Sequence, residues 1–202
     1  MSVGADPYPW PYDGTLDPRR LALVIAGDHP AWVARSCRAA EVAPIIEAVA
    51  SAVRSAGGLV VHVRTRLAAG RPTWRPPFLL HDGWPQVSPA SPGDLVIDAV
   101  GIDGFYGSSL DHGLRSAGIR NLVFAGYAAE APVTSTLRSA NDLGYECLTL
   151  SDAVAPFDPV TGHHSLRTIT MSGGIFGAVA PAAALAAALQ SLTQPTTTEA
   201  IR

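Results

Sequence analysis

The sequence predicts a three-layer, Rossmann-like α/β domain with a six-stranded, mostly parallel sheet and helices on both faces. Two observations carry that prediction. Short apolar runs rich in Leu, Val and Ile, each bounded by turn residues, recur at 21–25, 59–63, 95–97 and 122–125, with a fifth at 146–150. Their apolar character is continuous, the mark of strands buried on both faces of a parallel sheet. Helical stretches lie between them, and alternating strands and helices imply right-handed crossovers.

The helical elements follow in order. Residues 41–56 place Val42, Ile45, Ile46, Val49 and Val53 on one face and end at Gly57 and Gly58, residues suited to a left-handed C-cap. Residues 111–117 end at Gly118, 133–143 end at Gly144, and 181–192 close the domain. The uncharged run 171–192 has the length of a membrane span. Ser172, Gly173, Gly174, Gly177, Pro181 and Gln190 interrupt it, so it reads as a buried strand followed by an Ala-rich helix.

Three regions result: an extended N-terminal arm at 1–18, a domain at 19–192 and a polar tail at 193–202. The arm carries Pro7, Tyr8, Pro9, Trp10, Pro11 and Tyr12, whose aromatic rings need something to pack against. Residues 65–94 hold six prolines beside Trp74, Phe78 and Trp84. A loop of that length inside a compact domain is usually functional or part of an interface.

Composition narrows the function. With 48% hydrophobic and 15% charged residues, the 202-residue chain can bury one substantial core. A net charge of −3 and the absence of a basic cluster argue against nucleic-acid binding. All 14 basic residues are arginine, so no mechanism can use a lysine amine. Cys37 and Cys147 have neither disulfide-framework nor zinc-site spacing. His163 and His164 are adjacent, whereas ligation from one helix face wants residues three or four apart, so no metal is expected. The first 16 residues lack an apolar signal core, and the expected setting is a cytoplasmic one with no membrane contact.

In doubly wound sheets the ligand crevice lies beyond the carboxyl ends of the strands. The residues to inspect are therefore 26–30, 64–66, 98–103 and 127–132. Around those ends the chain carries Gly104-Phe105-Tyr106-Gly107-Ser108-Ser109-Leu110-Asp111, Gly118-Ile119-Arg120-Asn121-Leu122-Val123, Ala140-Asn141-Asp142-Leu143-Gly144-Tyr145-Glu146-Cys147-Leu148 and Met171-Ser172-Gly173-Gly174-Ile175-Phe176-Gly177. With the arm Pro9-Trp10-Pro11-Tyr12-Asp13-Gly14 and the strand Leu23-Val24-Ile25, this order resembles the isochorismatase-like cysteine hydrolases, particularly their biuret-hydrolase-like amidase branch.

The resemblance implies an Asp–Lys–Cys triad, in which the thiolate attacks a carbonyl, the aspartate moves the proton and the lysine stabilises developing charge. At the matching positions this chain has Ala26, Ala99 and Pro132. Alanine neither carries charge nor transfers a proton. Proline supplies no nucleophile and lacks a backbone N–H, although it suits the first turn of a helix. The segment between Arg64 and Leu95 and the stretch after Ala26 are also shorter than in the amidase branch.

Other residues near the crevice have two readings each. Asp28 and His29 could perform acid–base work, or cap the turn before Pro30. Glu130 could join them, or keep a structural role. His62 resembles a family strand position and reads as a hydrogen-bonded core histidine. Asp98 and Asp103 flank the lysine position and are expected in solvent or paired with arginine. Thr134, Ser135 and Thr136 read as helix packing or backbone partners. Cys147 reads as a small buried hydrophobe. Cys37, between Arg35 and Arg38, reads as a helix-surface thiol in preference to a displaced nucleophile. Phe105, Tyr127, Ala128 and Trp32 are the expected ligand contacts.

Two functions follow. One is a pseudoenzyme that binds a small molecule, or supports an active paralogue, through the old crevice. The other is a repurposed small-metabolite enzyme using Asp28, His29 or Glu130 without a cysteine nucleophile. Neither calls for a cofactor. The resemblance also implies a homo-oligomer, a dimer or tetramer.

Overall fold

A computed structural model describes residues 1–65 and 89–193. Six strands form one parallel sheet: β1 (Leu21–Ala26), β2 (Leu59–Thr65), β3 (Leu95–Ala99), β4 (Asn121–Tyr127), β5 (Glu146–Ala155) and β6 (Ala178–Ala180), in the order β3-β2-β1-β4-β5-β6. Every residue of β1 and β4, the central pair, is buried. Edge strand β3 alternates buried and open positions at Ile97 and Ala99 against Val96 and Asp98. This is how continuous apolar runs sort to the middle of a sheet covered on both sides.

On one face pack α2 (Ala39–Ser55) and α6 (Ala182–Thr193), over Leu21, Leu23, Ile25, Val60, Leu148 and Leu150. Helix α2 buries Val42, Ile46, Val49, Ala50 and Val53, with Ile45 at its margin. The other face carries α3 (Leu110–Ser116), α4 (Thr134–Asp142) and α5 (Pro159–Gly174). A single turn, α1 (Pro30–Val33), follows β1.

Within the run 171–192 the expected strand and helix form as β6 and α6, but the strand is shorter than expected and residues 171–177 are not part of it. Met171 and Ile175 are each 48% exposed, and residues 171–174 end α5 through a kink at Met171, Ser172 and Gly173. The sixth strand begins only at Ala178. Ser172, Gly173, Gly174 and Gly177 all take positive φ, which an extended strand cannot accommodate.

Residues 1–18 lie against the domain. Val3 and Trp10 form an antiparallel bridge, and Asp6 and Val179 exchange both backbone bonds, at 2.9 and 2.8 Å, along the outer edge of β6. Val3, Trp10 and Leu16 are buried in the α2-side core. Glu146 at the start of β5 accepts the Tyr8 hydroxyl at 3.2 Å and the Tyr12 amide at 3.1 Å. Trp10 and Tyr8 thus find their packing within their own chain, whereas Tyr12 stays 77% exposed, and an otherwise open sheet edge is covered. Most of the proline-rich loop and the tail beyond Thr193 lie outside the described residues. Among the described residues, no helix is long and apolar enough to cross a membrane.

Candidate functional site

The crevice position is set by the ends of β1, β3 and β4. Ala26 closes β1 and Ala99 closes β3; both are fully buried in one apolar cluster with Val63, Ile97, Phe124, Ala129 and Val133. After β4 the chain passes through Ala128 in the left-handed region (φ 53, ψ 68) and enters a π-helical turn, Ala129–Val133, that leads into α4. Such turns store local strain and often mark functional sites. Pro132 lies inside this one and is buried.

Pro132 and the end of β1 touch. Gly27, next to Ala26, has φ +69, and a Cβ placed there would fall 2.9 Å from Pro132 Cγ and 2.6 Å from the Tyr127 carbonyl oxygen. The loop after β3 is pinned over α4. The Gly104 amide donates to Thr136 Oγ1 at 2.8 Å, and that hydroxyl donates to the Pro132 carbonyl at 2.7 Å. Thr134 likewise bonds the Ala129 carbonyl. The helix threonines therefore satisfy backbone groups, as the sequence led us to expect.

The suggested substitutes are drawn to separate partners. Asp28 turns to the α2 face, where its Oδ2 lies 2.8 Å from His62 Nδ1. His29 caps α1, its Nδ1 accepting the Ala31 amide at 3.1 Å. Glu130 points to the start of α5, accepting the Phe157 amide at 3.0 and 3.1 Å and lying 2.6 Å from Thr161 Oγ1. Asp98 pairs with Arg64 at 2.7 Å. Asp103, expected in solvent or beside an arginine, instead accepts the Ser139 hydroxyl at 2.7 Å and the Phe105 amide at 2.9 Å, tying the loop to α4.

The expected ligand contacts divide by burial. Trp32, Tyr127 and Ala128 belong to the α2-side core at 2%, 1% and 0% exposure, and the Trp32 ring lies 5.9 Å from that of Phe157. Phe105 is half-buried and stacks on Tyr145 with centroids 6.1 Å apart. Ala128 donates its amide to Ser36 Oγ at 2.8 Å, and Ser36 in turn donates to the Trp32 carbonyl at 2.9 Å.

Cys147 is buried, and burial, then the Glu146 charge, pushes its thiol pKa far up. Cys37 is partly exposed and sits in the turn between α1 and α2, not on a helix, its amide bonded to Pro156 O at 2.8 Å. Among the described residues no group of three or more His, Cys, Asp or Glu is placed to hold a metal.

Sequence reasoning missed the partners of His62. Asp94, just before β3, lies 3.3 Å from its Nε2, and Arg54 of α2 grips Asp94 with two bonds of 3.0 and 2.8 Å. The available signal was the histidine itself, since a buried imidazole needs polar partners.

Strand order, all-parallel register and helices on both faces define a doubly wound α/β protein whose crevice lies beyond the carboxyl ends of the central strands. The chain belongs to the isochorismatase family: the Isochorismatase domain matches residues 22–183. It is similar to the ureidoacrylate amidohydrolase RutB of Pseudomonas syringae pv. syringae, 40% identical over 94 residues, covering 44% of this chain and 38% of that protein. The RutB of Variovorax paradoxus is 37% identical over 131 residues, covering 51% of this chain and 52% of its own length. The matched regions thus span about half or less of those relatives. A cysteine hydrolase from Pseudomonas syringae pv. phaseolicola has the same fold, with a TM-score of 0.76 and 20% identity over 95% of this chain and 98% of its own.

Proposed function

We propose that this chain is a non-hydrolytic member of the isochorismatase family that binds a small molecule, or supports a catalytic partner, through the inherited crevice. The observation that carries the reading is the contact of the Pro132 ring with Gly27, beside a fully buried Ala26. Amide hydrolysis by the family route needs a thiolate, a proton carrier and a cation at matched positions. These positions offer two methyl groups and a pyrrolidine ring. The acid–base alternative needs Asp28, His29 or Glu130 to face a substrate, whereas contacts with His62, the Ala31 amide and the Phe157 amide support structural roles for them.

Turnover on ureidoacrylate, the substrate in the RutB name, and on biuret tests the proposal directly. Ammonia release by the purified chain should not exceed the buffer rate, and Cys37→Ala and Asp28→Asn should leave that result unchanged. Release that is sustained over many turnovers and abolished by either substitution would overturn it.

A further inference from the structure

On the α2 side of the sheet, three buried titratable side chains and the partly exposed Arg54 come together from four parts of the chain. The side chains of His62, Asp28 and Asp94 are 1%, 0% and 2% exposed. His62 Nδ1 lies 2.8 Å from Asp28 Oδ2, and Nε2 lies 3.3 Å from Asp94 Oδ2. Behind Asp94, Arg54 donates to both carboxylate oxygens and the Ser91 amide adds a third bond at 2.8 Å.

A neutral imidazole has one N–H and one lone pair. Here both ring nitrogens face carboxylate oxygens, so either neutral tautomer aims a lone pair at an acceptor. The cationic ring satisfies both sides. Among the described residues of the cluster, it also sets His62 and Arg54 against the carboxyl groups of Asp28 and Asp94. Among the described residues, further charged or titratable groups lie on the neighbouring elements. Glu47 of α2 meets Arg54 at 3.3 Å near the surface, Arg64 further along β2 pairs with Asp98 of β3, and His29 caps α1. Strand β1 contributes only apolar residues.

We propose that His62 is a pH-responsive latch, which in its cationic form ties the turn after β1 to the β2–β3 edge and on losing its proton releases that turn. The effect reaches the crevice because Asp28 follows Gly27 directly, and Gly27 packs on Pro132. It holds whether the crevice binds or cleaves its ligand.

The electrostatics point the same way. Burial favours the neutral ring, but hydrogen bonding and charge from Asp28, then Asp94, outweigh it and hold the His62 pKa above the usual 6.5. Burial also opposes charge on Asp94, yet Arg54 and the Ser91 amide hold its carboxyl below the usual 3.8. A raised histidine pKa contributes stability that is complete below 6.5 and is lost as pH rises through the folded value.

The test is a nitrogen-15 and carbon-13 NMR titration of the histidine rings in the full chain, from acid to alkaline pH. His62 should keep both ring nitrogens protonated above the range where exposed histidines titrate. Asp28→Asn and Asp94→Asn should each lower that midpoint. The amide signals of Gly27, Asp28 and Val133 should move with the His62 midpoint in the wild type and lose that transition in His62→Gln. A single neutral tautomer at pH 6.5, or Gly27 and Asp28 signals indifferent to the His62 transition, overturns the proposal. If His62→Gln fails to fold, the wild-type and Asp28→Asn titrations still decide.

Discussion

Pro132 sits directly over Gly27, its Cγ 2.9 Å from where a Gly27 Cβ would lie. The contact joins the turn after β1 to the π-helical turn after β4, the two segments that frame the crevice. Gly27 is also held at φ +69, a conformation costly for any residue with a Cβ. Gly27→Ala should therefore destabilise the fold by about 1–3 kcal/mol, the usual range for a strained backbone position. Adding Pro132→Ala should recover only part of the loss, because the Tyr127 carbonyl remains 2.6 Å away. Urea unfolding of the single and double variants reads both effects. A neutral Gly27→Ala would mean that the two turns are not in contact.

Ala26 offers a test of how closed the floor is. It is fully buried among Val24, Val61, Val63 and Phe124. A carboxylate introduced there meets no cation in that cluster, so Ala26→Asp should cost roughly 3 kcal/mol or more at neutral pH. The acid is easier to bury when protonated, so its folded pKa should rise and the cost should shrink as pH falls. Chemical denaturation at two pH values checks this. An aspartate tolerated at neutral pH would show that the position opens to water.

The central sheet was legible because its signal is local and dense. β1 and β4 are uninterrupted apolar runs, and each is buried along its whole length. Helix α5 left little trace, since Pro159–Gly174 buries only Gly162 and Ile169 and shows no apolar stripe. Its kinked end at 171–174 therefore reads, together with the short strand β6, Ala178–Ala180, as one longer strand. Near the ends of β1, β3 and β4, motif order led to Ala26, Ala99 and Pro132, but it gave no access to the partners of the neighbouring polar residues. Asp28 and His29 adjoin in sequence, yet the turn sends one to β2 and the other to α1. The contacts of His62 come from residues 34 and 32 positions away, where no local pattern operates.

The two cysteines should separate cleanly by reactivity. Cys147 is 1% exposed, and its pKa is raised by burial and by the Glu146 charge, so little thiolate forms at neutral pH. Cys37 is partly exposed in the turn before α2. A chromogenic disulfide reagent at pH 8 should titrate one thiol in the folded protein and the second only after denaturation. Cys37→Ala should abolish the fast phase. Two fast thiols would contradict the packing of β5 under α5.

Arg54 supplies the main support for the Asp94 carboxylate, through two hydrogen bonds and its charge. Asp94 has its folded pKa below 3.8, so its contribution is complete above that value and lost as pH falls through the lower, folded one. Arg54→Met keeps most of the side-chain bulk and leaves Asp94 buried with less compensation. Removing one partner of a fully buried pair costs about 3–5 kcal/mol. Arg54 retains 22% side-chain exposure, which weakens the pair through solvent screening, so roughly 2–3 kcal/mol is expected at pH 7. Acid unfolding of the variant, followed by circular dichroism, should begin at higher pH than in the wild type, because an Asp94 carboxyl without its guanidinium takes up a proton sooner. An unchanged acid limb together with unchanged stability at pH 7 would place the charge balance of this cluster elsewhere.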